Sequence, residues 1–281
     1  MPTVPPQHEM IIPTKPSVPI MYSFVESPQQ LQGSKALVIF CSGLCDPMNV
    51  WLPTLAAIAR KRKQKPLLPM LLYDRFGSGA TGPDPTDKGK GAKDTHDVMD
   101  SVHDLRELLI CIAQRHLAVL PTEIDALRLV FVAHSMGAII AELYAKTYPR
   151  TVAALLVLDG APTNSDGQNW YPDPDTLDFS PAALPEGVTA ELLRRARKQQ
   201  RASVYNPNSV NGEQLRWSNV SDYIPIVGAP KLEGPTDGTP LLTVMAHDPV
   251  PFAKQVKKVS RSIVNHTKLA MWGIGISTSK D

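Results

Sequence analysis

Five short apolar segments, each bounded by polar or turn residues, recur along the chain. They have no alternating polar face, which is typical of strands that are buried on both sides of a sheet. The sequence therefore predicts strands over residues 36–41, 67–74, 127–133, 152–159 and 240–246.

The segments between these strands carry apolar residues at helical spacing. In the stretch 95–117, apolar residues recur at steps of three and four: Val98, Val102, Leu105, Leu109 and Ile112. One face of a helix is therefore expected to pack there, with Asp94 or Thr95 as its cap. Further helices are predicted over 48–62 and 138–148. The alternation of strands and helices predicts an α/β fold with a mostly parallel, doubly wound sheet.

The alternation breaks in residues 160–239, where turn residues and prolines dominate. One amphipathic helix is predicted inside this interval, over 189–202. The pattern predicts a core of residues 36–159 and 240–281, with the interval inserted as a cap over the carboxyl edge of the sheet, where ligands bind in such folds. Residues 1–35, rich in proline, are predicted to form an N-terminal arm.

Charge and composition argue against two classes of partner, nucleic acids and membranes. The formal net charge of the 281 residues is only +2, and the local Arg and Lys clusters lack interleaved aromatics, so no nucleic-acid partner is expected. The N-terminus lacks a signal-peptide pattern, and no apolar stretch is long enough to span a bilayer. Together with three irregularly spaced cysteines, this predicts a cytoplasmic protein with no membrane partner. No metal site or cofactor is expected, and the oligomeric state is left open.

A small polar break separates two apolar runs in the stretch LVFVAHSMGAIIAELYA, residues 129–145. Ser135 follows a predicted strand and precedes a predicted helix, and small residues, Ala133 and Gly137, stand two positions before and after it. A serine at such a turn is pushed out above the sheet, and the helix N-terminus beneath it favours negative charge. The stretch predicts that Ser135 is a nucleophile. A serine that only caps the helix is the alternative.

At this point the chain resembles the α/β-hydrolase family. The resemblance covers residues 36–160 and 240–276. Besides the sharp turn around Ser135, residues 133–137, which we call the elbow, four segments in the family's order carry it: LVIFCSGLCDPMNVW, LLYDRFGSGAT, PRTVAALLVLDGAP and PLLTVMAHDPVPF. The chain departs from the family pattern at Ala133, where glycine is usual. The resemblance implies an α/β-hydrolase fold in which Ser135 is the nucleophile.

The resemblance also implies an oxyanion hole. The family commonly has His-Gly after its first long strand, and here Ser42 and Gly43 take that place. The backbone N–H groups of Leu44 and Met136 would then bind the oxyanion. Because backbone groups act there, the change from histidine to Ser42 is expected to alter packing of the loop rather than its donors.

The resemblance orders the remaining catalytic residues as acid and then histidine. Asp248 follows the strand predicted over 240–246 and takes the place of the acid, and Asp159 is the alternative. His266 is the only histidine after Asp248 and is therefore assigned as the base. It precedes the last predicted strand, 267–276, whereas the family places its histidine after that strand.

His247, next to the predicted acid, is the alternative base. The family's final helix has no counterpart, which predicts a shortened carboxyl end. The main prediction is a serine hydrolase that acts on an ester, lactone or thioester of a small apolar molecule. The alternative is a non-hydrolytic member that binds a small molecule or promotes a cyclisation or elimination. Aromatic residues of the insertion are expected to line an apolar pocket, with the insertion's own core as the alternative place for most of them: Trp170, Tyr171, Phe179, Tyr205, Trp217 and Tyr223.

Overall fold

The computed structural model describes residues 5–27, 35–62, 67–160, 172–184, 188–203, 211–216, 219–224, 231–236 and 238–248. Seven strands lie in these ranges: β1 (Gln7–Met10), β2 (Ile20–Val25), β3 (Ala36–Cys41), β4 (Met70–Tyr73), β5 (Arg128–His134), β6 (Val152–Leu158) and β7 (Leu241–Met245). They form one sheet in the order β1-β2-β4-β3-β5-β6-β7. Among these described strands only β2 runs against the others, so the predicted mostly parallel sheet is confirmed.

The N-terminal segment is part of this sheet, which corrects the predicted arm over residues 1–35. β2 pairs with β1 on one side and with β4 on the other, where Tyr22 lies opposite Tyr73. Ile20, Tyr22 and Phe24 are buried in the core. The described prolines of this segment lie outside the strands, because a proline inside a central strand would remove a hydrogen-bond donor: Pro5 and Pro6 precede β1, and Pro13, Pro16 and Pro19 lie between β1 and β2.

Five α-helices lie in the described residues, four of them close to where helices are predicted. They are α1 (Leu52–Lys61), preceded by a 3-10 turn over Met48–Trp51, α2 (Val98–Leu117), α3 (Met136–Thr147), α4 (Ala190–Ser203) and the single turn α5 (Val220–Tyr223). None of the described helices is both long and apolar enough to cross a membrane.

The start of α2 is fixed by Asp97, not by Asp94 or Thr95 as predicted. The Asp97 carboxylate accepts hydrogen bonds from the backbone N–H groups of Met99 (2.8 Å) and Asp100 (3.1 Å). The Asp100 carboxylate in turn accepts one from the Asp97 N–H. This reciprocal cap satisfies amides that have no partner inside the helix. Asp97 immediately precedes the first apolar residue of the helical face, which is the position favoured for a cap.

The sheet is packed on both faces, as a doubly wound fold requires. In β3, Ile39 and Cys41 face the larger apolar cluster, which includes buried residues of α2 and α3. Phe40, between them in sequence, faces the opposite side and packs with Met48 and Trp51. Burial on both sides explains why the parallel strands are apolar at nearly every position.

The chain divides into two compact units: residues 1–163 with 210–245, and residues 164–209 with 246–281. The predicted insertion over 160–239 is therefore shared between the units, and the chain rejoins the core before β7. Apolar burial is the reason, since three side chains of the first unit join its main core: Leu215, Val220 and Ile224. The predicted amphipathic helix is present as α4, in the second unit.

A buried charged cluster joins the N-terminal segment to α2. Lys15 Nζ lies 2.5 Å from the carboxylate of Asp84 and 2.7 Å from that of Asp104. Beside it, His96 Nδ1 lies 2.6 Å from the Asp87 carboxylate. Burial favours the neutral form of Asp104 and raises its pKa to about 6, although the Lys15 ammonium opposes that shift.

Asp104→Asn is expected to change how the free energy of unfolding depends on pH. The Asp104 carboxyl has a pKa of 3.8 in the unfolded chain and about 6 in the folded protein, so between these values the folded protein keeps a proton that the unfolded chain has released. As pH rises from about 4 to about 6, wild-type stability should therefore fall relative to the variant, by up to about 3 kcal/mol. Denaturant titrations of both proteins measure this difference. A difference in unfolding free energy between wild type and Asp104→Asn that stays constant from about pH 4 to about pH 6 would contradict the raised pKa. Asp125→Asn, at an exposed carboxylate, is the control.

Candidate active site

Ser135 occupies an abrupt turn between β5 and α3. Its backbone dihedrals are φ 50° and ψ −120°, a region that residues with a side chain rarely adopt. β5 ends at His134 and α3 begins at Met136, so the whole change of direction falls on one residue. The Ser135 side chain is half-buried. The predicted strand, turn and helix are all present, and Ser135 stands at the carboxyl edge of the sheet.

Small residues around Ser135 allow two stretches of backbone to approach closely. A Cβ atom on Gly137 would lie 2.3 Å from the carbonyl oxygen of Cys41 and 2.8 Å from that of Ser42. Ala133, on the other side of the turn, is fully buried and pairs with Cys41 in the sheet. The requirement for glycine at position 137 therefore has a direct steric cause.

The predicted oxyanion loop lies beside Ser135. A Cβ atom on Gly43 would be 3.4 Å from the Cβ of Ser135 and 3.1 Å from Nδ1 of His134. Leu44 follows Gly43 and is half-buried, and Met136 is the buried first residue of α3. Within the described residues, the backbone N–H groups of Leu44 and Met136 donate to no protein acceptor.

Side chains from the loop after β4 bond to residues that directly follow the predicted oxyanion loop over 42–45. Asp74 Oδ1 accepts a hydrogen bond of 2.5 Å from the Met48 N–H. Ser78 Oγ donates one of 3.0 Å to the Asp46 carbonyl. Gly79 adopts φ 55°, and a Cβ there would lie 2.2 Å from the Asp74 carboxylate. Burial raises the pKa of Asp74, against the stabilising effect of the backbone N–H groups that bond to it.

A buried ion pair, which the sequence does not reveal, contacts the same loop. The Arg75 guanidinium donates to the carbonyls of Ser42 (2.9 Å) and Gly43 (2.6 Å). It also donates to both carboxylate oxygens of Glu213, at 3.0 and 2.7 Å. Glu213 in turn accepts a hydrogen bond from the Cys45 N–H. Burial opposes the charge on Arg75, but the Glu213 carboxylate outweighs it and raises the pKa of the guanidinium.

Asp159, the alternative acid, lies at the same edge of the sheet as Ser135. Leu158 pairs with His134 in the parallel register, so Asp159 and Ser135 follow directly on neighbouring strands. Asp159 is exposed and has φ 44°. His134 lies with Nδ1 3.6 Å from an Asp46 carboxylate oxygen, and both side chains are about two-fifths exposed, at 40% and 42%.

None of the other predicted acid and base residues lies in the described part of the unit that holds Ser135. Asp248 and His247 belong to the second unit, whereas Ser135 belongs to the first. His266 lies outside the described residues, as does the predicted last strand over 267–276. The assignments of Asp248 as acid and His266 as base stay predictions.

The described aromatics of the predicted pocket have other contacts. Phe179 packs against a small cluster of the second unit, formed by Val188, Leu193 and Ala196. The Tyr223 hydroxyl, in the first unit, donates to the Asp97 carboxylate at 2.9 Å. Each therefore contributes to the packing of its own unit. The remaining four lie outside the described residues: Trp170, Tyr171, Tyr205 and Trp217.

The sequence model of the alpha/beta hydrolase family matches residues 38–262 of this chain. The chain belongs to the alpha/beta hydrolase family. The strand order, the strained serine and the close approach of Gly137 to β3 are thus features of an α/β-hydrolase fold in this chain. No curated protein matches the sequence.

Solved structures resemble this α/β hydrolase at low sequence identity. A carboxylesterase structure from the thaumarchaeon Nitrososphaera gargenis is 13% identical, with a TM-score of 0.44, over 92% of this chain and 98% of that one. Epoxide hydrolase I of potato (Solanum tuberosum) is 20% identical, with a TM-score of 0.39, over 54% and 40%. MGS-M2, an α/β hydrolase from a Medee basin deep-sea metagenome library, is 19% identical, with a TM-score of 0.38, over 57% and 49%. The chain thus spans half or less of the last two proteins, and such distant matches define no substrate.

Gly137→Ala should disturb the elbow of this α/β hydrolase. The new methyl group would overlap the Cys41 carbonyl oxygen, at 2.3 Å, so α3 would have to move away from β3. We expect a loss of about 1–3 kcal/mol in the free energy of unfolding, measured by denaturant titration. Gly91→Ala is the matched control, because its nearest neighbour would be 3.8 Å away. Equal stability of the two variants would show that the contact is not close in the protein.

Proposed function

We propose that this chain is a serine hydrolase that cleaves an ester, lactone or thioester of a small apolar molecule. The observation that carries the proposal is the backbone of Ser135, which turns abruptly at φ 50° between β5 and α3. The strained turn brings the Cβ atom of Ser135 close to Gly43, directly before the first turn of a helix. A strained residue at such a position is typical of a catalytic nucleophile.

In the proposed reaction, Ser135 Oγ attacks the substrate carbonyl carbon and gives its proton to a base. The N–H groups of Leu44 and Met136 bind the oxygen that becomes negatively charged, and such donors typically contribute about 3 kcal/mol each. The bond to the leaving group then breaks, and the base returns the proton to the departing alcohol or thiol. Water attacks the acyl-serine by the same route, which releases the carboxylic acid and restores the hydroxyl.

We assign the base to His266 and the carboxylate that orients it to Asp248. The support is the order of these residues in the chain, serine, acid and histidine, which is the order used by α/β hydrolases. His247 is the alternative base. Asp159 is the alternative acid, supported by its place beside Ser135 at the sheet edge.

A cytoplasmic location is part of the same proposal. Cys41, Cys45 and Cys111 are all free thiols, as expected for a protein of a reducing compartment. Burial raises the pKa of the Cys41 thiol to about 11, which keeps it protonated beneath the site.

An active-site-directed fluorophosphonate should label the purified chain at Ser135. Attack by Ser135 Oγ on phosphorus forms the O–P bond, fluoride leaves, and the proton passes to the base. Ser135→Ala should abolish the label and lower ester hydrolysis by roughly 10⁴-fold or more, whereas Ser17→Ala, at an exposed serine, should change neither. Mass spectrometry of the labelled peptide identifies the site. Folded wild-type protein that takes no label would contradict the hydrolase and favour the non-hydrolytic alternative.

His266→Ala should slow labelling and hydrolysis by roughly 10⁴-fold or more, because the proton of Ser135 would lose its acceptor. His247→Ala should leave the rate within a small factor of wild type. Rates measured against pH add a second readout, since the wild-type rate should rise with the deprotonation of a histidine and the variant should lose that dependence. A large loss only in His247→Ala would transfer the assignment to that residue, and no loss in either variant would refute both assignments.

A further inference from the structure

We infer that Arg75 and Glu213 are positioning residues that fix the direction of the Leu44 N–H, one of the two proposed oxyanion donors. The inference deepens the proposed function and rests on it. Neither residue is expected to touch the substrate. Both act on the backbone of the loop over residues 42–45.

The guanidinium of Arg75 is buried and its contacts are fully specified. Only 6% of Arg75 and 1% of Glu213 are exposed. Nε and Nη2 donate to the two carboxylate oxygens, at 3.0 and 2.7 Å, while Nη1 and Nη2 donate to the carbonyls of Ser42 and Gly43. The planar fork of arginine can make these bonds together, which the single ammonium of a lysine cannot do.

The bond to Gly43 determines where the next amide points. A trans peptide unit is planar, so its C=O and the following N–H point in opposite directions. The Gly43 carbonyl accepts a hydrogen bond of 2.6 Å from Arg75 and a longer one of 3.2 Å from the Asp46 N–H, and the Leu44 N–H therefore points away from the guanidinium. Rotation of this peptide unit would turn the Leu44 N–H toward Arg75, where a donor would face a donor. The positive charge thus disfavours the inactive orientation.

Glu213 fixes the following amide and balances the charge. Its carboxylate accepts the Cys45 N–H as well as the guanidinium. Cys45 has φ 61°, a conformation that a residue with a side chain holds only where its surroundings enforce it. With the carbonyl of Gly43 bound on one side and the N–H of Cys45 on the other, Leu44 lies between two fixed backbone positions.

The segment that carries Glu213 is itself held in place. The side-chain oxygen of Asn211 accepts the backbone N–H groups of Glu213 (3.0 Å) and Leu215 (3.2 Å). Gly77, in the loop next to Arg75, has φ 76°, and a Cβ there would lie 2.8 Å from the Glu213 backbone. The absence of a side chain at Gly77 therefore permits the close approach that brings Glu213 to the oxyanion loop.

The test uses two variants of the full chain. The double variant Arg75→Met/Glu213→Leu removes both charges and replaces them with apolar side chains, a change that buried ion pairs often tolerate. Arg75→Lys keeps the charge but removes the planar guanidinium. This variant replaces the double variant in the test if the double variant does not fold. Arg106→Met, at a partly buried arginine that bonds Tyr144 and Asp125 away from the loop, is the matched control.

The first measurement is the rate of fluorophosphonate labelling at Ser135 as a function of probe concentration. In the double variant the rate at saturating probe should fall by about 10²-fold, the loss typical of one oxyanion donor, while the half-saturating concentration stays unchanged. Arg75→Lys should give a smaller loss of the same kind. If the ion pair only stabilised the fold, the saturating rate would not fall while the half-saturating probe concentration stayed the same. Unchanged saturating rates in a folded double variant would overturn the inference.

The second measurement is hydrogen exchange of the backbone amides of Leu44 and Cys45, which requires no activity. Exchange at Cys45 should accelerate in the double variant and stay at the wild-type rate in Arg106→Met. Unchanged exchange at Cys45 would overturn the inference, as would faster exchange without any loss of labelling rate. If wild-type protein takes no label at all, the hydrolase proposal fails on that result, and the exchange data separately decide whether the ion pair holds the loop.

Discussion

Parallel pairing of β3 with β5 places Cys41 beside Ala133, so the strand that enters the oxyanion loop and the strand that enters the elbow end together. Gly137 then lets the first turn of α3 rest on the carbonyl groups of Cys41 and Ser42. Because no side chain intervenes, the separation of the loop from the helix is set by backbone contact alone. The strained turn at Ser135 is maintained by this contact, and the site at the sheet edge depends on it.

Buried charges connect segments that are distant in sequence. Three hydrogen-bonded pairs in the first unit show this: Lys15 and Asp104 are 89 residues apart, Tyr223 and Asp97 are 126 apart, and Arg75 and Glu213 are 138 apart. A carboxylate taken out of water is costly unless donors surround it, and each of these carboxylates accepts at least one charged or hydroxyl donor. Such contacts tolerate few alternative arrangements, so they specify where each segment lies on the core.

The parts of the fold that follow from local pattern could be predicted from the sequence. β3 coincides with its predicted range because a strand buried on both faces is apolar at nearly every position. The elbow at Ser135 could be predicted because its steric requirement falls on residues two positions away. β1 could not, since three of its four residues are exposed and carry no apolar run. Glu213 gave no signal, because its partner Arg75 is far away in sequence and a single acidic residue in a turn-rich segment looks like any solvated side chain.

The two amide donors proposed for the site are held by different means. The Met136 N–H belongs to the first residue of α3, and the hydrogen bonds of a whole helix fix its direction. The Leu44 N–H belongs to a loop, where a peptide unit can rotate unless its carbonyl is bound. In this chain that carbonyl is bound by the Asp46 N–H at 3.2 Å and, at 2.6 Å, by Arg75, whose charge is tolerated in the interior because Glu213 compensates it. One donor is thus a consequence of secondary structure, while the other depends on a turn and on a tertiary ion pair. A hydrolase built in this way would lose transition-state stabilisation when the ion pair is broken, even with its nucleophile and its fold intact.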